Sequence, residues 1–195
     1  MVDTLDSREA ILLAAERLFM DQGFRGISMR QIAEAVGVTK AALYYHFQDK
    51  EDLFVAIVAR YLAAMSNLID TAAASNPSCR TQIGAIVQQI LTQPVEQRAI
   101  LRLTSQELSN ISLENRARFM EMYHDRFIGR ITALLAAGMV NGELRSVEPQ
   151  LATWTLLGMM YPYFHPAPPS GMLPTLGQID TLVSIFFDGL ASHSR

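Results

Sequence analysis

The sequence has one cysteine, Cys79, among 195 residues, and this scarcity excludes several kinds of site. One thiol forms neither a disulfide within the chain nor a cysteine-based zinc site within it. A single thiol is consistent with a reducing cytosol. We expect Cys79 to be an ordinary small residue, although the sequence leaves a redox role open.

Charged residues are also few, at 18% of the chain, whereas half of the residues are apolar. This composition excludes a disordered chain. The longest apolar runs, such as ALLAAGMV, are well short of the roughly 18 residues that a membrane span needs. The opening MVDTLDSREA lacks the basic and apolar regions of a signal peptide. We therefore expect a cytoplasmic protein with no membrane partner.

Motifs of catalysis are missing as well. The sequence contains no Gly-x-Ser-x-Gly elbow, phosphate-binding loop or Cys/His cluster. Glu121 and His124 have the i, i+3 spacing of metal ligands, but that spacing serves a metal only when it is repeated on another helix. Asp125 and Arg126 instead indicate an exposed charged face. We expect no enzyme activity, no cofactor and no metal.

Helical periodicity is present along nearly the whole chain. Asp6 with Glu9, and Ser28 with Gln31, have the spacing of capping boxes, and Gly23 suits a helix exit. The expected helices are a first one after Asp6, then residues 29–36, a short one capped by Thr39 that ends near Phe47, a long one after Asp49, and 79–92, 94–108, 113–140, 148–163 and 175–192. We therefore predict an all-α protein of about nine helices. Its domains are residues 1–48, a three-helix helix-turn-helix module for DNA binding, and residues 49–195, a helical domain for effector binding and dimerisation.

The stretch TKAALYYHFQDKEDL, residues 39–53, carries the chemistry. At about 100° per residue, Leu43 and Phe47 share one face and Tyr45 lies opposite. The side chains of Leu43 and Phe47 can pack on the preceding helix, which ends at a glycine break. A helix, a break and a second helix form a helix-turn-helix, whose second helix enters the DNA major groove. Overall charge of −3 does not favour DNA binding, but residues 25–50 have a local excess of two positive charges.

Residues 8–54 resemble the DNA-binding region of the TetR family of bacterial transcriptional regulators. The matching segments are ILLAAERLFMDQGF and SMRQIAEAVGVTKAALYYHFQDKEDLF. The resemblance implies a homodimer that reads a palindrome, and an effector pocket whose occupation lowers DNA affinity. It implies DNA contacts at Ser28, Arg30, Thr39, Lys40, Ala41, Tyr44, Tyr45, His46 and Lys50. The opening residues MVDTLDSREA do not have the basic arm of the family, so we do not expect them to contact the minor groove.

The last two predicted helices are apolar on more than one face. One face of each is expected to pack within its own domain and another against a second copy. The residues expected at this dimer interface are Leu157, Gly158, Ile179, Leu182, Val183, Phe186 and Leu190. The alternative is a single thick core.

Methionine and aromatic residues indicate an apolar effector pocket, because methionine suits surfaces that adapt to varied ligands. The residues expected to line it are Met65, Phe119, Tyr123, Phe127 and Trp154. The alternative is that each is ordinary core.

The favoured function is thus a DNA-binding repressor released by a small apolar or amphipathic molecule. Two alternatives are a DNA-binding protein of the same fold controlled by a protein partner, and a helical ligand-binding protein whose N-terminal module is only structural. The operator, the effector and the regulated genes cannot be read from the sequence.

Overall fold

The computed structural model describes residues 7–94, 103–104, 106–164 and 174–190, and the regular elements in these ranges are helices. They are α1 (Ser7–Gly26), α2 (Met29–Val36), α3 (Lys40–His46), α4 (Lys50–Ser75), α5 (Cys79–Leu91), α6 (Leu113–Tyr123), a π-helical turn (His124–Ile128), α7 (Gly129–Val140), α8 (Pro149–Phe164) and α9 (Leu176–Leu190). The predicted all-α fold is confirmed. The expected cap Asp6 and most of the expected helix 94–108 lie outside the described residues.

The short helices near the N-terminus begin and end where the sequence predicts. Ser28 and Gln31 form the capping box of α2, and the helix ends at Gly37, whose φ of 76° and ψ of 25° are left-handed. The Thr39 hydroxyl accepts a hydrogen bond from the Ala42 backbone N–H at 3.1 Å and so caps α3. Asp49 caps α4 by accepting from the Asp52 N–H at 2.8 Å. These caps satisfy N–H groups that the first turns leave unpaired, and they fix the start of each helix.

The described chain divides into two compact units. The first contains residues up to Tyr61 together with 96–121, and the second contains Leu62–Val95 and the residues from Met122 onward. Helices α4 and α6 therefore contribute residues to both units. In the first unit the rings of Phe19, Phe24 and Phe54 form an aromatic cluster with centroids 5.2–6.1 Å apart. This cluster packs α1 against α4.

Residues 107–118 join the first unit although they lie far along the chain. The Glu51 carboxylate accepts hydrogen bonds from the Ser112 backbone N–H and the Asn115 side chain, each at 2.9 Å. Arg118 forms an ion pair with Asp52 at 3.5 Å. These contacts attach the start of α6 to the start of α4.

In the second unit, α5 packs against α7 and α9, and α7 packs against α8. The approach of α5 and α7 is close: a Cβ added to Gly138 would lie 2.7 Å from the Cβ and Sγ of Cys79. Cys79 is 3% exposed, and burial raises the pKa of its thiol to about 11. The cysteine therefore fills space between two helices.

The π-helical turn and helix α4 each differ from what the sequence alone suggests. The expected helix 113–140 is interrupted by the π-helical turn His124–Ile128, which no local sequence pattern predicted. Helix α4 is long and apolar enough to span a bilayer, with a mean hydropathy of 1.5 over its most apolar window, but 56% of that window is buried inside the protein. That burial is typical of the core helix of a folded protein.

Candidate nucleic-acid interface

Helix α3 has one buried face and one exposed face. Leu43 is fully buried and Phe47 is 2% exposed, whereas Tyr44 is 43% and Tyr45 is 85% exposed. Ala41, beside the tyrosines, is also exposed. The inward direction of Leu43 and Phe47 and the outward direction of the tyrosines follow the sequence prediction. Because the side chain of Ala41 is small, it allows this outward face to come close to the base edges in a DNA groove.

Two pairs of side chains organise the exposed face. The Lys40 ammonium lies 5.6 Å from the centroid of the Tyr44 ring, one turn further along the helix. The ring of Tyr45 meets that of His46 edge to face, with centroids 5.1 Å apart and planes at 79°. Cation–π and edge-to-face contacts restrict these side chains without covering them.

A concave groove lies beside α3. Its volume is about 510 Å³, and its lining residues are Arg25, Gly26, Ile27, Ser28, Met29, Arg30, Gln31, Lys40, Tyr44 and Lys50. We call it the basic groove, because four lining side chains are cationic and none of these described residues carries a carboxylate. Four cationic residues that line one concavity, together with the N-terminus of α2, favour an anion such as a backbone phosphate.

Arg30 is available to such an anion. Its guanidinium pairs with Glu34 at 3.6 Å, one turn along α2, but both side chains are highly exposed. Exposed pairs of this kind contribute about 0–1 kcal/mol, so a phosphate can replace the carboxylate at little cost.

Lys50 has a second role that the sequence did not indicate. Its Nζ donates to the carbonyl oxygens of Phe24 at 2.8 Å and Ile27 at 2.9 Å, and it lies 4.4 Å from the centroid of the Phe24 ring. Burial lowers the pKa of Lys50, and the nearby Glu107 carboxylate opposes that shift. An ammonium has three N–H donors, so one remains for the groove. Lys50 thus fixes the α1–α2 connection as well as lining the groove.

Arg25 lines the groove but was not predicted as a contact. It follows Gly23, a non-helical residue with φ of 76° that bends the chain near the end of α1. Its Nη2 donates a hydrogen bond to the Asn110 side-chain oxygen. The local charge excess of residues 25–50 includes Arg25, but its partner is too distant in sequence to be inferred.

Comparison with known proteins decides the family. A sequence profile for "Bacterial regulatory proteins, tetR family" matches residues 11–57, and one for "Tetracyclin repressor-like, C-terminal domain" matches residues 76–190. The second match alone covers more than half of the chain. The chain belongs to the TetR family.

Individual TetR relatives match over different lengths. The transcriptional repressor BepR of Brucella suis is 45% identical over 58 residues, 30% of this chain and 28% of that protein, so the match spans less than a third of BepR. The repressor KstR2 of Rhodococcus jostii is 25% identical over 186 residues, 95% of this chain and 91% of that protein. The crystal structure of AibR with isovaleryl coenzyme A and operator DNA is 25% identical, with a TM-score of 0.74 over 93% of this chain and 98% of that one. The relatives are thus transcriptional regulators.

The residues expected at the effector pocket of a TetR protein do not share one environment. Met65 and Phe127 are buried in the second unit, and the Tyr123 and Phe127 ring centroids are 5.6 Å apart. Burial also raises the pKa of Tyr123. Phe119 is buried in the first unit, and Trp154 is 49% exposed on α8. Tyr123 and Phe127 are therefore the pair that the structure brings together, whereas Trp154 lies on an outer face.

The residues expected at the TetR dimer interface are largely covered within the chain. Buried positions on α9 are Ile179, Leu182, Val183 and Phe186. Leu157 is half-buried and Gly158 is exposed, while the side chain of Leu190 lies outside the described part of the structure. The exposed apolar side chains of α8 and α9 are instead Leu151, Trp154, Tyr161, Leu176 and Ile185. Helical periodicity identified α8 and α9 as apolar helices. It did not show which of their apolar side chains are buried within the chain.

Proposed function

We propose that this TetR-family protein is a homodimeric repressor that binds a palindromic operator and is released by a small apolar or amphipathic effector. We assign DNA binding to residues 1–48 and effector binding and dimerisation to 49–195, and we infer that it acts in the cytoplasm. The observation that carries the proposal is the basic groove beside the exposed face of α3.

In this proposal α3 lies in the major groove. Thr39, Lys40 and Ala41 are at its N-terminal end, which approaches the base edges. Tyr44 and Tyr45 contact phosphate, sugar or thymine methyl groups through their hydroxyls and rings. Because phosphate contacts position a protein and base contacts specify sequence, the cations of the basic groove set the register of α3. His46 borders this face through its contact with Tyr45.

We propose that the second copy covers the exposed apolar side chains of α8 and α9. Leu151, Trp154 and Tyr161 are 62%, 49% and 58% exposed, and Ile185 on α9 is 61% exposed. A Cβ added to Gly158, on the same face of α8, would meet no atom within 4 Å, so another helix has room to approach it. Apolar patches of this kind mark association surfaces, and a two-fold contact of one patch with itself closes the assembly. The variant Trp154→Glu is expected to be monomeric in sedimentation; a dimer of unchanged affinity would contradict this surface.

A small-molecule effector is supported by one solved relative of known ligand. AibR was crystallised with isovaleryl coenzyme A, a ligand with an apolar acyl group, and operator DNA. In this chain, Met65, Tyr123 and Phe127 are the apolar and aromatic candidates in the second unit. Helix α4 begins at the DNA-binding module and continues into that unit, so a ligand-dependent tilt of α4 would change the spacing of the two recognition helices. Release of DNA by ligand from a dimer cross-linked at the DNA-bound spacing would contradict this mechanism.

The test is selection of bound duplexes from a genomic library by the purified protein. The proposal predicts an enriched palindrome whose half-sites are about one helical turn, or a multiple of it, apart. Enrichment of an asymmetric single site would contradict the dimeric model. No salt-dependent binding to any duplex would favour a helical ligand-binding protein, and binding that only a protein partner reverses would favour the partner-controlled alternative.

A further inference from the structure

The basic groove is attached to residues beyond the DNA-binding module. Residues 107–118 belong to the first unit of the structure, yet they lie within the part of the chain that matches the C-terminal TetR profile. The Ser112, Asn115 and Arg118 contacts in this segment reach the carboxylates Glu51 and Asp52, which do not line the groove. Asn110 differs from them, because its partner Arg25 is a cation of the groove.

The orientation of the Asn110 amide is set by the partners of its oxygen and its nitrogen, the weakest of which is the Gln106 carbonyl oxygen at 3.5 Å from the nitrogen. The guanidinium of Arg25 has only donors, so it must meet the amide oxygen. The amide nitrogen of Asn110 donates to Glu107 Oε2 at 2.9 Å, which turns the oxygen toward Arg25. A chain of two hydrogen bonds therefore joins these residues: Arg25 donates to the Asn110 oxygen, and the Asn110 nitrogen donates to Glu107.

Glu107 also acts on a second cation of the groove. Its carboxylate favours the charged form of Lys50 and opposes the effect of burial on the Lys50 pKa. Lys50 in turn holds the carbonyl oxygens of Phe24 and Ile27, on either side of Arg25 in sequence. The backbone that carries Arg25 and the guanidinium itself are thus both restrained.

We propose that Asn110 is a positioning residue for DNA binding, which holds the Arg25 guanidinium in the basic groove and is itself oriented by Glu107. This inference rests on the proposed function. An exposed arginine loses side-chain freedom when it binds a phosphate, and one that is already restrained loses less. The guanidinium has five N–H donors, so the hydrogen bond to Asn110 leaves donors for phosphate oxygens.

One consequence is a route from the C-terminal domain to DNA affinity that does not pass through α3. Asn110 bonds Arg25 directly, and Glu107 acts on Lys50 through its charge, so a displacement of this segment changes the restraint on Arg25 while the recognition helix stays in place. Affinity for DNA of any sequence would change, because phosphate contacts carry no base information.

The test compares Asn110→Ala with Asn115→Ala, using the full-length protein and a labelled mixed-sequence duplex. Asn115 is a matched control, since it is also an asparagine that attaches this segment to the module, but to Glu51. Asn110→Ala is expected to weaken binding about three- to tenfold, the effect of one newly immobilised side chain, and Asn115→Ala is expected to leave it unchanged. The slope of log affinity against log salt stays at the wild-type value in Asn110→Ala, because the charge remains. In Arg25→Ala the slope falls by about 1.

A double-mutant cycle separates positioning from general destabilisation. In the Arg25→Ala background, Asn110→Ala is expected to have no further effect on DNA affinity. Two variants of equal charge provide the second readout. Glu107→Gln keeps an acceptor for the Asn110 amide, whereas Glu107→Ala does not. The Glu107→Ala protein should therefore bind DNA about threefold more weakly than the Glu107→Gln protein.

The outcomes distinguish this inference from the proposed function. If the wild-type protein binds no duplex, the proposed function is wrong. If the wild type binds but Asn110→Ala matches or exceeds its affinity, the positioning role is wrong and DNA binding stands. Equal losses from Asn110→Ala with and without Arg25 would also overturn the positioning role.

Discussion

Replacing Tyr45 and Leu43 by alanine, one at a time, separates the two faces of α3. Tyr45 is 85% exposed and Leu43 is fully buried, although they are two residues apart on one short helix. If the exposed face contacts DNA, Tyr45→Ala should weaken operator binding by about 1–3 kcal/mol, or about five- to 150-fold. Leu43→Ala should act through the fold instead.

The structure fixes the expected change in the free energy of unfolding. Leu43→Ala leaves a cavity between α2 and α3 and should cost about 2–5 kcal/mol. The ring of Tyr45 meets the ring of His46 with centroids 5.1 Å apart, and such a pair contributes about 0.5–1.5 kcal/mol. The higher helix propensity of alanine offsets about 0.5 kcal/mol of that loss. The free energy of unfolding of Tyr45→Ala should therefore stay within about 1 kcal/mol of the wild-type value.

Urea denaturation followed by circular dichroism gives the stabilities, and fluorescence anisotropy with the selected palindrome gives the affinities. Tyr45→Ala is expected to separate the two properties, with lower affinity at near-constant stability. Wild-type affinity in a folded Tyr45→Ala protein would refute the assignment of this face to DNA.

Three further predictions concern the fold. Gly138→Ala would place a Cβ 2.7 Å from Cys79 and should lower the free energy of unfolding by about 1–3 kcal/mol. The control Gly189→Ala, whose Cβ would meet nothing within 4 Å, should not lower it. Equal urea midpoints for the two variants would contradict the close packing of α5 and α7. Hydrogen bonds from Asn115 and Ser112 lower the pKa of Glu51. The Glu51 carboxylate therefore contributes fully to the free energy of unfolding above its ordinary pKa of 4.5, and this contribution is lost as the pH falls through its pKa in the folded protein. Glu51→Gln should therefore cost about 1 kcal/mol at neutral pH and less in acid, and a pH-independent difference would count against this. Because burial raises the pKa of Cys79 from 9.0 to about 11, a disulfide reagent at neutral pH should label it only through unfolding, and rapid labelling of the native protein would contradict that burial.

Local chemistry made much of the DNA-binding module predictable. The caps Ser28, Thr39 and Asp49 and the left-handed Gly37 depend on neighbours within a few residues. The opposite directions of Leu43 and Tyr45 follow from helical periodicity alone. These features could be read from the sequence because the interactions that determine them are short in sequence.

Features that depend on distant partners could not be read in this way. Lys50 was expected to contact phosphate, but its bonds to two carbonyl oxygens require the fold to bring α4 to the end of α1. The link between Arg25 and Asn110 joins residues 85 positions apart. Neither pairing leaves a local pattern.

The C-terminal domain shows a related limit. Periodicity shows that α9 has an apolar stripe, but it does not show whether that stripe packs within the chain or against a second copy. The structure buries Ile179 and Phe186 within the chain and leaves Ile185 exposed. The π-helical turn at His124–Ile128 also has no local signal; it closes a bond from the Gly129 N–H to the His124 carbonyl.

If the basic groove and α3 bind the phosphates of duplex DNA, binding must depend strongly on salt concentration. Affinity for a mixed-sequence duplex is measured over a series of salt concentrations for the wild type, for Arg30→Ala/Lys40→Ala, and for Arg80→Ala/Arg145→Ala, which removes the same charge from the second unit. The slope of log affinity against log salt should be steeply negative for the wild type, smaller in magnitude by about 2 for the groove variant and equal to the wild-type value for the control. Salt-independent binding by the wild type, or equal slopes for the two double variants, would contradict phosphate binding at the basic groove.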